Sequence, residues 1–357
     1  HRDLHLSIRR QRQMCIRDRL TMAYTVKLNK QNTTFLVNED ESILEAALKQ
    51  GLNLPYGCRN GECGSCIAEI TEGSFFYNGS NPEYLQQEGF NKSKALLCQA
   101  RASSNIAIDS KILESDAEIT LKQFPCRVKS AEKLNDSVMR IILELPKTER
   151  LEFLAGQYVD FILPEGKKRS FSLANPPHQD QVLEFHVRHY DGGVFSEYAF
   201  SELKNNSLLR IEGPLGQFTL HNSERPIIMI AGGTGFAPIK SVVEHTLKIN
   251  DPRSIHIYWG ARSKSDLYLD GITNEWAKKY PHITYTPVLS ETDDIENWSG
   301  KMGYVHEAVL EDYHDLSDHD VYACGPPPMI DAIVNTFPEH HLKQENLFSD
   351  SFEFSKE

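Results

Sequence analysis

The chain has 357 residues, 40% hydrophobic and 25% charged, with a formal net charge of −12. This is ordinary globular composition for two or three domains, and it excludes wholesale disorder and collagen-like repeats. The acidity argues against nucleic acid as a partner, and no apolar run reaches the ~18–20 residues that span a bilayer.

The charge is uneven. Residues 1–19 carry six arginines and two aspartates, net +4, on a remainder of −16. This basic stretch lacks the apolar core of a secretory signal, so a cytoplasmic protein is expected. The string Gln11-Arg-Gln-Met-Cys-Ile-Arg-Asp-Arg19 reads as translated read-through or a disordered extension, which puts the start of the working chain at Met22.

In chain order, Tyr24–Leu28 and Thr33–Val37 read as two paired strands. Ser42-Ile-Leu-Glu45 is a capping box that opens a short helix stopping at Gly51. A glycine-rich loop with three cysteines follows, and Ile67–Ile70 leaves it as a strand. Leu113 to Phe124 is charged and mixed, a linker. Six short strands come next, at Arg127–Ala131, Val138–Glu144, Tyr158–Leu163, Phe171–Leu173, Leu183–Arg188 and Leu208–Glu212. Their spacing suggests a small antiparallel barrel. From Ile227 the pattern alternates. Strands at Ile227–Ile230, Ser254–Trp259, Ile283–Leu289 and Asp320–Ala323 are interleaved with helices at Phe236–Lys248, Gly271–Lys279, Val305–Leu310 and Pro327–Thr336. Such alternation implies a parallel sheet with helices on both faces.

Of seven cysteines, four crowd between Cys58 and Cys98. Clustering of this kind in an intracellular chain points to a metal site rather than disulfides. Cys58, Cys63 and Cys66 stand in a Cys-x4-Cys-x2-Cys string with Cys98 far downstream, which is the plant-type [2Fe–2S] spacing. Such a cluster takes four thiolates and draws on nearby backbone N–H groups. Gly57, Gly61 and Gly64 permit the close wrapping this needs. The competing readings are a structural zinc site, which usually pairs two Cys-x2-Cys knuckles, and four buried cysteines without metal. Cys126 has no assigned role.

Residues 22–112 resemble a plant-type ferredoxin domain of β-grasp, α+β fold. The string Arg169-Ser170-Phe171-Ser172 resembles the Arg-x-Tyr-Ser signature of the ferredoxin–NADP reductase superfamily. The resemblance implies that Arg169 pairs with the FAD pyrophosphate, for which a guanidinium fork is suited. It also implies that Phe171 stacks on the flavin, without the hydroxyl of the usual tyrosine, and that Ser172 donates towards flavin N5. His186-Val187-Arg188 follows, then Gly193 and Ser196 at a helix start that would face the pyrophosphate. Gly213-Pro-Leu-Gly216 would turn the chain into the next domain. His186 and His189 fall on opposite sides of a strand and are not read as metal ligands.

Gly232-Gly233-Thr234-Gly235, between a buried strand and a helix, lets the backbone approach a dinucleotide pyrophosphate. By the resemblance, Cys324-Gly325-Pro326 lies beside the nicotinamide, with Cys324 a positioning residue that also counts, with Ser172, as catalytic. Arg262 would border the adenosine ribose. Arg262 and Lys264 could take a 2′-phosphate, but Asp266 is close, so NADH is expected and NADPH is possible. The C-terminal Phe348 to Phe354 would end on the flavin face or form an edge strand.

The whole resembles iron–sulfur flavoprotein reductases, among them CDP-6-deoxy-Δ3,4-glucoseen reductases and the reductase components of aromatic-ring oxygenases. The implied architecture is multidomain. Residues 1–21 are an extension, 22–112 a β-grasp ferredoxin domain and 113–124 a linker. Residues 125–222 form a six-stranded antiparallel β-barrel for FAD, and 223–357 an α/β Rossmann-like domain for NAD. The implied activity is an oxidoreductase passing electrons from NADH through FAD and [2Fe–2S] to an external acceptor. That acceptor is expected to be a protein, a deoxysugar dehydrase or an oxygenase, and the reductase itself a monomer. A flavin, ferric or quinone reductase using small acceptors is the alternative, and a cluster-bearing sensor a third. Residues 22–112 carry a net charge of only −2, so strong acidic steering to a partner is not indicated.

Overall fold

The computed structural model describes residues 23–62, 64–79, 81–86, 93–112, 121–291 and 298–352. The N-terminal extension with Met22, Cys63 and Phe354 lie outside the described residues. Contacts divide the chain into two units, 1–118 and 119–357.

In the first unit, β1 (Ala23–Leu28) pairs antiparallel with β2 (Thr33–Asn38). Helix α1 (Ile43–Lys49) follows, and the Ser42 hydroxyl accepts from the Glu45 N–H at 3.2 Å, the expected cap, worth ~1 kcal/mol. Then come β3 (Ile67–Glu72), β4 (Phe75–Phe76), β5 (Lys94–Leu96), β6 (Arg101–Ala102) and β7 (Ile106–Asp109). The main sheet has the order β2-β1-β7-β3-β5, and β4 pairs with β6. Strands β4 to β7 are too short for an alternating pattern to declare them in sequence. Ile43, Leu44 and Ala47 of α1 pack with Val26, Leu28 and Ile108 of the sheet into one core.

The second unit opens with a six-stranded antiparallel sheet. Its strands are β8 (Lys122–Lys133), β9 (Val138–Glu144), β10 (Tyr158–Ile162), β11 (Lys168–Ser172), β12 (Leu183–Arg188) and β13 (Leu208–Leu215), with α2 (Val194–Ser201) between the last two. The order is β11-β10-β13-β8-β9-β12. Two details differ from expectation. Strand β8 begins inside the predicted linker and runs through Pro125, because the pairing to β9 starts only at Arg127 and a residue without an N–H is tolerated before it. Gly213, Pro214 and Leu215 continue β13 instead of turning. Cys126 points into this sheet's core, where burial pushes its thiol up to about 12. A buried, neutral thiol in an apolar core is a packing residue.

The rest of the unit is β14 (Ile227–Gly232), α3 (Phe236–Ile249), β15 (Ile255–Ala261), α4 (Asp270–Lys279), β16 (Ile283–Leu289), β17 (Lys301–Met302), α5 (Val305–Asp312), β18 (Asp320–Gly325), α6 (Pro327–Thr336) and β19 (Leu347–Ser351). All its strand pairs are parallel, in the order β17-β16-β15-β14-β18-β19. Two separate cores flank this sheet, as its continuous apolar strands require. Phe348 on the edge strand β19 stacks on His221 at 4.0 Å and on Tyr322 at 4.7 Å, so it belongs to the sheet's packing. No helix among the described residues is long and apolar enough to cross a membrane.

Candidate functional site

The cysteine loop is held from two sides. Leu97 N–H, one residue before Cys98, donates to the Cys66 carbonyl at 3.1 Å, and Ile67 pairs with Leu96. The Gln99 side chain donates to the Arg59 carbonyl at 2.9 Å. The segment carrying Cys98 is therefore tied to both ends of the loop. Gly61 and Gly64 sit at φ +92° and +74°. At Gly64 the positive φ disfavours any L side chain, and a Cβ would also come within 2.3 Å of the Tyr84 ring, which would have to move. Cys66 and Cys98 are buried and Cys58 half-buried. Burial pushes the Tyr77 hydroxyl up to about 12, and Cys66 and Cys98 are near enough to add to it. No group of three metal-ligating side chains is assembled among the described residues. The thiol-only donor set and the tight glycine turns nevertheless fit the cluster that the spacing implies.

In the second unit the Arg169–Ser172 string lies on β11, paired with β10 so that Ser172 faces Tyr158 and Phe171 faces Val159. Arg169 donates to the Lys168 carbonyl at 2.9 Å and has no carboxylate partner among the described residues, which leaves most of its fork for an anion. Ser170 donates to Asp160 Oδ1 at 2.7 Å. Phe171 is half-buried, edge-on to Phe161 at 5.2 Å and tilted on Phe195 at 5.1 Å. Pairs of this kind contribute ~0.5–1.5 kcal/mol beyond area burial, and here they set the ring's orientation. Ser172 is buried at the strand's end. Gly193 is the N-cap of α2, and a Cβ there would meet Ser196 Oγ at 2.4 Å. The Ser196 hydroxyl is bound to Tyr190 and Gly193 backbone. Ser196 thus shapes the helix start, and an anion would be met by the first N–H groups of the helix.

His186 and Val187 are buried. Both ring nitrogens of His186 are engaged, Nδ1 with Tyr268 at 3.0 Å and Nε2 with Glu184 at 3.0 Å. Only backbone at these positions can face a cofactor. Burial lowers the His186 pKa despite Glu184, so the ring is neutral. For Glu184, burial raises the pKa, but the His186 hydrogen bond and the Lys240 charge outweigh it and hold it at about 2. Both shifts have the same sign for stability. The unfolded chain binds more protons below pH 6.5 at the histidine and below 4.5 at the carboxyl. Thermal stability is therefore expected to fall as pH drops below 6.5 and more steeply from 4.5 towards about 2. In Glu184→Gln the thermal midpoint should be less dependent on pH over the lower interval, and an unchanged slope there would contradict the assignment.

The glycine loop forms a single 3-10 turn, Gly233–Gly235, between β14 and α3. Gly233 has φ +54°, and a Cβ there would lie 3.0 Å from Arg188 Nη1, so β12 reaches the loop. A Cβ on Gly232 would meet Met329 Sδ at 2.7 Å and Pro326 Cδ at 2.8 Å, and one on Gly235 would meet the Cys324 carbonyl oxygen at 1.9 Å. The loop and the Cys324-Gly325-Pro326 segment are thus in backbone contact. Thr234 is buried, Pro326 caps α6, and Cys324 is fully buried with its thiol pushed well up by burial. Such a thiol is neutral and is no nucleophile. Arg262, 72% exposed, lies 3.9 Å from Glu291, while Asp266 pairs with Arg188 at 3.6 Å. The structure therefore brings Arg169, Ser172, Arg188, the glycine loop and Cys324 into one unit. It adds Glu184, Lys240 and Tyr268, which no sequence pattern had singled out.

Families of known domains match in the same order. A 2Fe-2S iron-sulfur cluster binding domain matches residues 26–103, an oxidoreductase FAD-binding domain 125–220, and an oxidoreductase NAD-binding domain 229–335. The chain is 42% identical over 335 residues to the CDP-6-deoxy-L-threo-D-glycero-4-hexulose-3-dehydrase reductase of Yersinia pestis, covering 94% of this chain and 100% of that protein. It is 34% identical to reductase component 1 of the terephthalate 1,2-dioxygenase of a Comamonas species, covering 93% and 98%. Among solved structures, the Amycolatopsis cytochrome P450 reductase GcoB superposes with a TM-score of 0.82 at 30% identity, covering 92% of this chain and 98% of that one. The chain belongs to the family of iron–sulfur flavoprotein reductases that join a 2Fe-2S domain to FAD- and NAD-binding oxidoreductase domains.

Proposed function

We propose that this reductase takes electrons from NADH and delivers them to a protein acceptor, a deoxysugar dehydrase or an oxygenase component, as the names of its relatives suggest. The six-stranded antiparallel sheet is read as an FAD-binding barrel, the ferredoxin unit as a β-grasp and the parallel sheet as Rossmann-like. The observation that carries the reading is the backbone contact between the glycine loop and Cys324, in the same unit as Arg169 and Ser172. FAD, when bound, accepts a hydride and releases single electrons, which a two-iron cluster takes one at a time.

The chain's own residues supply binding and alignment. Arg169 and the N-terminus of α2 hold the flavin pyrophosphate, and Phe171 supports the ring system. Ser172 presents a hydroxyl at the reacting edge, and Gly232–Gly235 seat the nicotinamide dinucleotide. Buried Cys324 excludes water from the approach. Cys58, Cys63, Cys66 and Cys98 hold the cluster. The Glu291 and Asp266 carboxylates near Arg262 disfavour a 2′-phosphate and support NADH.

Anaerobic mixing with NADH is expected to bleach the flavin first and the cluster second. Ser172→Ala should slow flavin bleaching roughly 10-fold or more while FAD stays bound. Equal single-turnover rates in wild type and variant would remove Ser172 from the hydride step.

A further inference from the structure

Lysine is rarely buried unless its charge is matched. Lys240 on α3 is only 6% exposed. Its ammonium donates to the Ala174 carbonyl at 3.1 Å and to Glu184 Oε2 at 3.2 Å, and lies 3.2 Å from Glu244 Oε1 on its own helix. The next residue repeats the grip, with Ser241 Oγ donating to the Asn175 carbonyl at 2.8 Å. Ala174 and Asn175 stand just past the β11 end that carries Ser172, with Leu173 between. They are stitched to Glu184 by the Ala174 N–H on its carbonyl at 2.8 Å and by the Glu184 N–H on Asn175 Oδ1 at 2.8 Å. Helix α3 in turn starts at the glycine loop.

A second arm closes the circuit. Glu184 Oε1 accepts from His186 Nε2, and the Tyr268 hydroxyl donates to His186 Nδ1. Tyr268 stands edge-on to Trp259 at 5.2 Å, and Trp259 Nε1 donates to the Gly233 carbonyl at 3.0 Å. Beginning and ending at the glycine loop, the chain of contacts passes through the Ser172 strand end.

We propose that Lys240 and Ser241 are positioning residues for hydride transfer. They hold the Ser172 end of the FAD-binding sheet and the nucleotide loop in one frame, so that nicotinamide meets flavin at reacting distance. This rests on the reading of Ser172 and the glycine loop given above. Misplacement of reacting groups by about 1 Å costs on the order of 100-fold in rate, whereas ground-state binding at the loop need not change.

Lys240→Met alone would leave Glu184 buried beside a lost cation and could unfold the protein. The test therefore uses Lys240→Met/Glu184→Gln, which removes the buried Lys240–Glu184 pair, leaves only Glu244, whose side chain is 21% exposed and open to water, and keeps an acceptor for His186, together with Ser241→Ala. Each is purified with FAD and mixed anaerobically with NADH. The limiting rate of flavin bleaching, the NADH dissociation constant and the long-wavelength charge-transfer absorbance of the reduced complex are recorded. The limiting rate is expected to fall roughly 10- to 100-fold in the double variant, with weaker charge-transfer absorbance and unchanged NADH affinity. A rate equal to wild type in both folded variants overturns the proposal, as does a loss accounted for by weaker NADH or FAD binding. If NADH fails to bleach the flavin of the wild-type protein, the underlying hydride reading fails instead.

Discussion

Replacing Cys98 with serine is expected to remove the iron–sulfur chromophore, the bound iron and the two-iron EPR signal, while NADH still bleaches the flavin. The residue is buried and lies between Leu97 and Gln99, whose hydrogen bonds reach the Cys66 carbonyl and the Arg59 carbonyl. These anchors do not depend on the thiol, so the serine variant should keep the loop's path and lose only the ligand. A serine hydroxyl is a far weaker donor to iron at neutral pH than a cysteine thiolate, because its proton is held much more tightly. The residues proposed to hold flavin and nicotinamide belong to the other compact unit, so single-turnover reduction by NADH should survive, while electron delivery to a protein acceptor should stop. Unchanged iron content and EPR signal in the variant would refute the ligand assignment.

The second large effect is expected at Gly235. Its backbone is ordinary right-handed helical, φ −57° and ψ −11°, so conformational freedom is not what selects glycine here. The reason is space: a Cβ would lie 1.9 Å from the Cys324 carbonyl oxygen and 2.5 Å from its carbon. Both are backbone atoms of β18, whose register with β14 runs from Ile227 opposite Asp320 to Ala231 opposite Cys324. Neither can yield without breaking that pairing. Gly235→Ala should therefore cost about 3 kcal/mol or more, at the upper end of overpacking. It should also weaken NADH binding by prising the loop from the Cys324 segment. Gly271, inside α4 with nothing within 4 Å, is the control, where alanine should stabilise by ~0.5–1 kcal/mol. Thermal unfolding and NADH titration of the two variants check both signs. A Gly235→Ala protein as stable as the Gly271→Ala protein would show that the loop and β18 are not in backbone contact.

Much of the chemistry was legible before any coordinates. Ligand spacing, the Arg169–Ser172 string and the Gly232–Gly235 turn are local patterns, and local patterns are written in consecutive residues. The N-cap at Ser42 and the strand–helix alternation from Ile227 to Ala323 belong to the same class, since each follows from periodicity or from one side chain bonding a backbone group three residues away. The short strands β4 to β7 were not legible, because two to four residues carry no period and pair only by virtue of neighbours distant in sequence. The first residues of β8 were read as linker for a related reason: Lys122 to Phe124 pair with Ile211 to Gly213, far along the chain.

The sequence by itself determined which cofactors the chain is equipped to hold and the order of its domains. The tertiary structure alone decided which side chains remain available to those cofactors. His186 and Ser196 stood in the motifs as candidates, yet their polar atoms are committed to Glu184, Tyr268 and the backbone of Tyr190 and Gly193. Arg169 kept most of its donors. Lys240, an unremarked lysine in an amphipathic helix, became a buried cation tying the helix that leaves the glycine loop to Ala174 and Glu184. The physical reason is that commitment and desolvation rest in part on distant groups: Tyr268 lies 82 residues from His186, and Lys240 lies 56 residues from Glu184.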